Sequence, residues 1–239
     1  MILYGVISFF DTHVNEEKRM IEKERILETK GVYKIYRGRP VIRNATLTLN
    51  TGECALITGD NGSGKTTLIR LLSGTAQPTM GSVELRPKLS MQFKPAEVEK
   101  DIGLSALAFL FSMARIDGYS SREAKTVCRS MFAHYHLSGL ENIAVNKLSD
   151  SMYRKLILAQ AMLKPCDLLF VDEPFMGLDY DTRKLLFADM MKLKQQNTAM
   201  LIACSHQDEI EGWESLVDKI WHIEHGEIKE KNNEITTAP

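Results

Sequence analysis

The sequence predicts an α/β chain: a mainly parallel sheet with flanking helices, an antiparallel β-rich stretch ahead of it and a helical insertion within it. Three observations carry this. The apolar run Glu53-Cys54-Ala55-Leu56-Ile57-Thr58 leads through a glycine-rich turn into the Leu/Ile spacing of Leu68 to Leu72, which reads as strand, turn and helix. Helix-like and strand-like patterns alternate from Asp150 to Leu216, as α/β layers require. A second apolar strand, Leu168 to Val171, ends on two acids, Asp172 and Glu173.

The elements follow in order. An apolar decapeptide, Met1 to Phe10, precedes a charged run from Asn15 to Arg25; a secretory signal has the reverse order, so this extension (residues 1–25) reads as a strand or helix that packs on the domain or on a partner. Ile26 to Glu28 and Gly31 to Tyr36 are strand-like. Ala45, Leu47 and Leu49 then alternate with polar residues in a half-buried antiparallel strand, and Thr51-Gly52 turns into the strand at Cys54. After the first helix, Pro78, Gly81, Val83 and Leu85 suggest an edge hairpin leading to Leu89 to Phe93. Leu104 to Ile116 is an apolar helix, and Ser120-Ser121-Arg122-Glu123 is a capping box opening a second helix toward His136. The remaining pattern is helix 150–163, strand 168–171, helix 182–195, strand 198–204, helix 208–216, and a hairpin of 219–223 with Ile228 around Gly226. Residues 231–239 read as a mobile tail.

Composition is ordinary for a globular chain: 239 residues, 44% hydrophobic and 26% charged. With 30 basic and 31 acidic residues the formal charge is −1, so nothing global favours nucleic acid or an anionic membrane. Cys54, Cys128, Cys166 and Cys204 form no C-x-x-C pair and read as reduced core thiols of a cytosolic protein. No apolar run approaches the ~20 residues of a membrane-spanning helix, so any membrane role needs another chain to cross the bilayer.

The glycine-rich turn is Gly59-Asp60-Asn61-Gly62-Ser63-Gly64-Lys65-Thr66-Thr67, and it fits G-x-x-x-x-G-K-[ST] at Gly59, Gly64, Lys65 and Thr66. Glycines let successive N–H groups face phosphate oxygens, and the following helix adds its positive end at the same point. Lys65 then reaches the β- and γ-phosphates and the Thr66 hydroxyl ligates Mg²⁺. In a parallel sheet the carboxyl ends of strands line the crevice, so Asp172 can share the metal with Thr66 while Glu173 faces the γ-phosphate and orients water.

These residues, in this order, resemble the nucleotide-binding domain of ABC-type ATPases over residues 26–230: a phosphate-loop NTPase core of mainly parallel sheet with an antiparallel β-subdomain and a helical subdomain near 95–165. The resemblance extends to Tyr36, where the family stacks adenine; to Ser149 in Lys147-Leu148-Ser149-Asp150-Ser151-Met152, where it carries Leu-Ser-Gly-Gly-Gln; to Asp179 in Gly177-Leu178-Asp179; and to His206 after Ser205, where it has a γ-phosphate sensor. Gln92 stands where a glutamine joins the metal to the membrane-domain contact, although closer to Lys65 than usual. The signature is degenerate. Asp150 brings a like charge toward a partner's γ-phosphate, unless it turns to solvent and the backbone amides still serve.

The resemblance implies an ATPase that sandwiches two ATP-Mg²⁺ between two protomers. Asp179 couples them, and the two are either identical or this chain and another ABC ATPase. It implies a cytoplasmic subunit, peripheral on the inner face of the membrane, powering a separate membrane-spanning permease subunit, with a lean toward export. The alternative is a soluble ATP-gated clamp. His134 and His136 read as solvated rather than zinc-binding, the twelve methionines as core, and the cations from Arg86 to Lys100 as a solvated face.

Overall fold

A computed structural model describes residues 24–94, 100–101, 103–205 and 213–231. The expectations for the N-terminal extension up to residue 23, for the tail from residue 232 and for His206 fall outside these residues. Two compact units divide the chain: residues 100–164 form one, and the segments before and after them form the other.

The larger unit holds two sheets. In the first, β1 (Arg25–Tyr36) pairs antiparallel with β2 (Arg39–Ala45), β3 (Thr48–Asn50) and β5 (Met80–Leu85). The chain crosses from β2 to β3 at Thr46-Leu47, and buried Thr29 makes the crossing possible. Its hydroxyl donates to Ala45 O (3.0 Å) and accepts from Leu47 N (2.8 Å), so neither backbone group is orphaned. The second sheet has six strands in the order β10-β9-β4-β8-β7-β6. Here β4 (Cys54–Thr58), β6 (Met91–Lys94), β7 (Leu168–Asp172), β8 (Ala199–Ala203) and β9 (Lys219–Glu224) run parallel, and β10 (Glu227–Lys231) returns antiparallel around Gly226. β4, β7 and β8 are buried along their whole length, which explains why they read as unbroken apolar runs. Leu27, Ile42, Leu49, Ile57, Leu68, Phe170 and Trp221 join one core, each contributing roughly 1.5–3 kcal/mol by leaving water.

The expected hairpin between the Val83 and Met91 segments does not form. β5 completes the antiparallel sheet on β1, whereas β6 joins the parallel sheet beside β7, with Met91 opposite Leu168 and Lys94 opposite Val171. Alternation alone cannot name a strand's partner.

Helix α1 (Lys65–Leu72) follows β4, and α5 (Tyr180–Gln195) and α6 (Trp213–Leu216) complete the helices described in this unit. In the smaller unit, α2 (Ala106–Ile116) is capped by Ser105, whose side chain accepts from Ala108 N. α3 (Ser121–His134) carries the predicted capping box between Ser120 and Glu123. α4 (Asp150–Ala161) closes the unit, whose interior holds Leu110, Phe132, Tyr135 and Leu156.

At the entry to β4, Glu53 is 6% exposed. It accepts from Asn50 N and Nδ2 (3.0 Å each) and pairs with Lys219 (2.8 Å). Burial alone raises its pKa, but Lys219 and Asn50 outweigh burial and hold it at about 2. A folded pKa below the unfolded value gives stability that is present above about 4.5 and is lost as pH falls toward 2. Glu53→Gln is therefore expected to melt at a lower temperature than the parent at pH 7, with the two curves converging between pH 4.5 and 2; a gap independent of pH would contradict the assignment.

Candidate functional site

The carboxyl ends of β4, β8, β7 and β6 lie in register, with Asp172 opposite Ala203 and Ile57 opposite Ala203 from the other side. The crevice of a parallel sheet opens at that edge. The chain leaves β4 through Gly59 at φ 142, where an added Cβ would stand 2.5 Å from Ile223 O and 2.7 Å from Ser63 Oγ. Only glycine allows that path. Gly64, at φ 115, sits at the start of α1, and no side chain caps the helix. Its first-turn N–H groups thus remain available to an anion. Lys65, 6% exposed, folds its ammonium back over the loop to donate to Gly59 O (2.8 Å) and Asp60 O (3.0 Å).

A cleft of about 500 Å³ opens here, within the range of small-ligand sites. Asn61, Gly62, Gly64, Lys65, Thr66 and Thr67 line it together with Glu173, Phe175, Arg183 and Ser205. Asp172 is 1% exposed, and neither of its carboxylate oxygens has a hydrogen-bond partner. Burial pushes its pKa up and nearby Glu173 adds to this, while Thr66, Lys94 and Arg70 pull the other way. A buried carboxylate with two open oxygens beside a threonine hydroxyl is a hard-cation donor set, and it fits Mg²⁺.

Glu173 takes φ 47, a left-handed conformation unfavourable for any residue with a Cβ. Its N–H donates to Ala203 O (2.9 Å), and its carboxylate is held by Ser205: Oγ at 2.5 Å from Oε1 and N–H at 3.3 Å from Oε2. Ser205 Oγ is also 2.9 Å from Asn61 Oδ1. One hydroxyl proton cannot serve both, and the carboxylate is the stronger acceptor. The result is a fixed acid facing a loop built for phosphate.

Residues 42–176 match the family described as ABC transporter. The chain belongs to that family. Among its curated relatives, the spermidine/putrescine import ATP-binding protein PotA of Legionella pneumophila (strain Lens) is 28% identical over 214 residues, 86% of this chain and 58% of that protein. The daunorubicin/doxorubicin resistance ATP-binding protein DrrA of Streptomyces peucetius is 29% identical over 216 residues, 85% of this chain and 64% of that one. The chain thus spans less than two thirds of the length of either. An ATP-binding subunit of an ABC transporter superposes with a TM-score of 0.76 at 20% identity, covering 87% of this chain and 90% of the other. A dimeric ATP-binding cassette in a post-hydrolysis state with ADP and Pi does so with 0.76 at 19%, covering 87% and 99%. At such identities the likeness is one of fold.

Within this ABC-family chain the other sequence-predicted residues fall in different places. Tyr36 ends β1, exposed, with Lys34 Nζ 5.0 Å from its ring centroid, and is not among the cleft-lining residues. Asp60 is exposed and offers its carbonyl to Lys65. Asp179 caps α5, accepting from Thr182 N (2.9 Å) and Oγ1 (2.7 Å). Ser149 caps α4, accepting from Met152 N at 3.2 Å. Asp150 pairs with Lys100 and is otherwise open to solvent, so its charge is partly met within the same unit.

Gln92 does not end its strand. It pairs with Leu169, three residues before Asp172, and β6 continues to Lys94. The reading of the 86–100 cations as a solvated face also fails at Lys94, which is 3% exposed and donates to Asp172 O and Glu173 O. Sequence reasoning passed over Lys94, Arg183 and Ser205 as site residues. For Lys94 one signal existed: it directly precedes Pro95, where an apolar strand must stop.

Proposed function

We propose that this chain is the ATP-binding and ATP-hydrolysing subunit of an ABC transporter, acting through a separate membrane-spanning subunit. The observation that carries this is the buried carboxylate of Asp172 beside the Thr66 side chain, next to a held Glu173 that lines one cleft with the glycine loop and the uncapped helix start. Phosphates are bound by the loop N–H groups and by Lys65, which exchanges its carbonyl partners for them. Thr66 and Asp172 would hold Mg²⁺, which would neutralise charge on the phosphates. Glu173 orients the attacking water and accepts its proton. Tyr36 supplies an exposed ring for the base, and His206 senses the γ-phosphate.

Two such chains, or this chain and another ABC ATPase, close on the nucleotides, with Ser149 and Asp179 contributing from the opposite protomer. The dimeric cassette that shares this fold supports that arrangement. The curated relatives carry both import and export names, so the proposal covers transport without assigning direction. Placement on the inner face of a membrane follows from this reading; among the described residues no helix is long and apolar enough to cross one.

Tagged protein drawn from detergent-solubilised membranes tests it. The expected result is co-purification of a polytopic membrane chain, with ATP turnover that rises more steeply than linearly with protein concentration. Turnover without any membrane chain would favour the soluble clamp instead.

A further inference from the structure

Lys94 closes β6, the edge strand of the parallel sheet, and its ammonium is sealed from water beneath the two acids of the cleft. A lysine is seldom buried unless its charge is met. Here Nζ donates to the backbone carbonyls of both Asp172 and Glu173 at 2.9 Å. Successive carbonyls in an extended strand point to opposite sides, so two neighbours can meet one ammonium only if the backbone turns between them. The turn is made by Glu173 at φ 47. The lysine and the left-handed residue hold each other in place.

Glu173 is thereby fixed at its carbonyl by Lys94, at its N–H by Ala203 O, and at its carboxylate by Ser205. We propose that Lys94 is a positioning residue for ATP hydrolysis, whose ammonium locks the turn after β7 so that the Glu173 carboxylate stays aimed into the phosphate cleft. The proposal rests on the reading of Glu173 as the group that orients water. Lys94 is not among the residues lining the cleft, so it acts through the backbone of Glu173 rather than on nucleotide.

The test uses the full chain with Lys94→Met, which keeps length and removes the donor, and Lys94→Arg, which keeps charge and donors. A misaimed base lowers the chemical step without loosening nucleotide, so kcat of Lys94→Met should fall about tenfold or more, while KM and the affinity for a fluorescent ATP analogue stay within about twofold. Lys94→Arg should recover most of that loss. Thermal melting checks folding, and if Lys94→Met fails to fold, Lys94→Leu, which also lacks a donor, takes its place in the same assays.

A folded variant with parental kcat would overturn the proposal, and so would kcat and nucleotide affinity falling together by the same factor. Glu173→Gln is the control. If it retains turnover, the reading of Glu173 fails and takes this one with it. If it is inactive while Lys94→Met is fully active, the role of Lys94 alone is lost.

Discussion

Glu173→Gln is expected to bind ATP as the parent does and to hydrolyse it about a hundredfold or more slowly, the usual contribution of a positioned base. The substitution suits the site because little else has to move. Ser205 N–H still meets a side-chain oxygen, and the Ser205 hydroxyl, a free rotor, turns from donating to accepting once an amide nitrogen faces it. The left-handed backbone at this residue is unaffected by an isosteric change. Binding without hydrolysis leaves ATP in the closed state, so size exclusion with ATP and Mg²⁺ should show a dimer that the parent forms only transiently. Parental turnover in the variant would remove Glu173 from the chemistry.

Asp172→Asn is expected to lose about a hundredfold in turnover, as loss of a charged metal ligand does, and yet to be the more stable protein when nucleotide and metal are absent. The reason is the sign of its titration. Burial, and then Glu173, raise the folded pKa of Asp172 above the unfolded value of 3.8. A raised carboxyl pKa means that stability is fullest below 3.8 and declines as pH climbs through the folded value, so at pH 7 the ionised side chain opposes folding. Asparagine carries no such charge. In chelator at pH 7 the variant should melt a few degrees higher, since 1 kcal/mol is about 2–4 °C in a chain of this size, and the advantage should vanish near pH 4. A variant that is both active and less stable would refute the account.

Much of this was legible in the residues. The phosphate loop is fixed by local chemistry: at Gly59 no Cβ fits, and Gly64 takes φ 115 with a crowded Cβ position, so glycine spacing writes the loop directly into the sequence. The Ser120 capping box and the buried strands carry similarly local signals. What failed was non-local. Gln92 and Lys94 differ by two positions on one strand, hence face the same side, and only the register with β7, which sets Lys94 opposite Val171, brings the Lys94 ammonium to the backbone of the acids. The mixed charges around Lys94 suggested a wet surface because composition cannot show that two carbonyls 78 and 79 residues further along the chain will converge on one ammonium. The partner of β5 was hidden for the same reason.

The backward fold of Lys65 ties the loop to itself. Its ammonium donates to Gly59 O and Asp60 O, so on the proposed reading a phosphate must draw the cation away from bonds within its own loop. The contest is then for the ammonium, between two carbonyls of the chain and the oxygens of a ligand. On that reading the carbonyls favour release of whichever ligand holds the lysine less firmly. A diphosphate, with no γ-oxygens to offer that cation, would be the weaker holder of the two nucleotides, so the same two carbonyls that shape the loop would also help it to discriminate them.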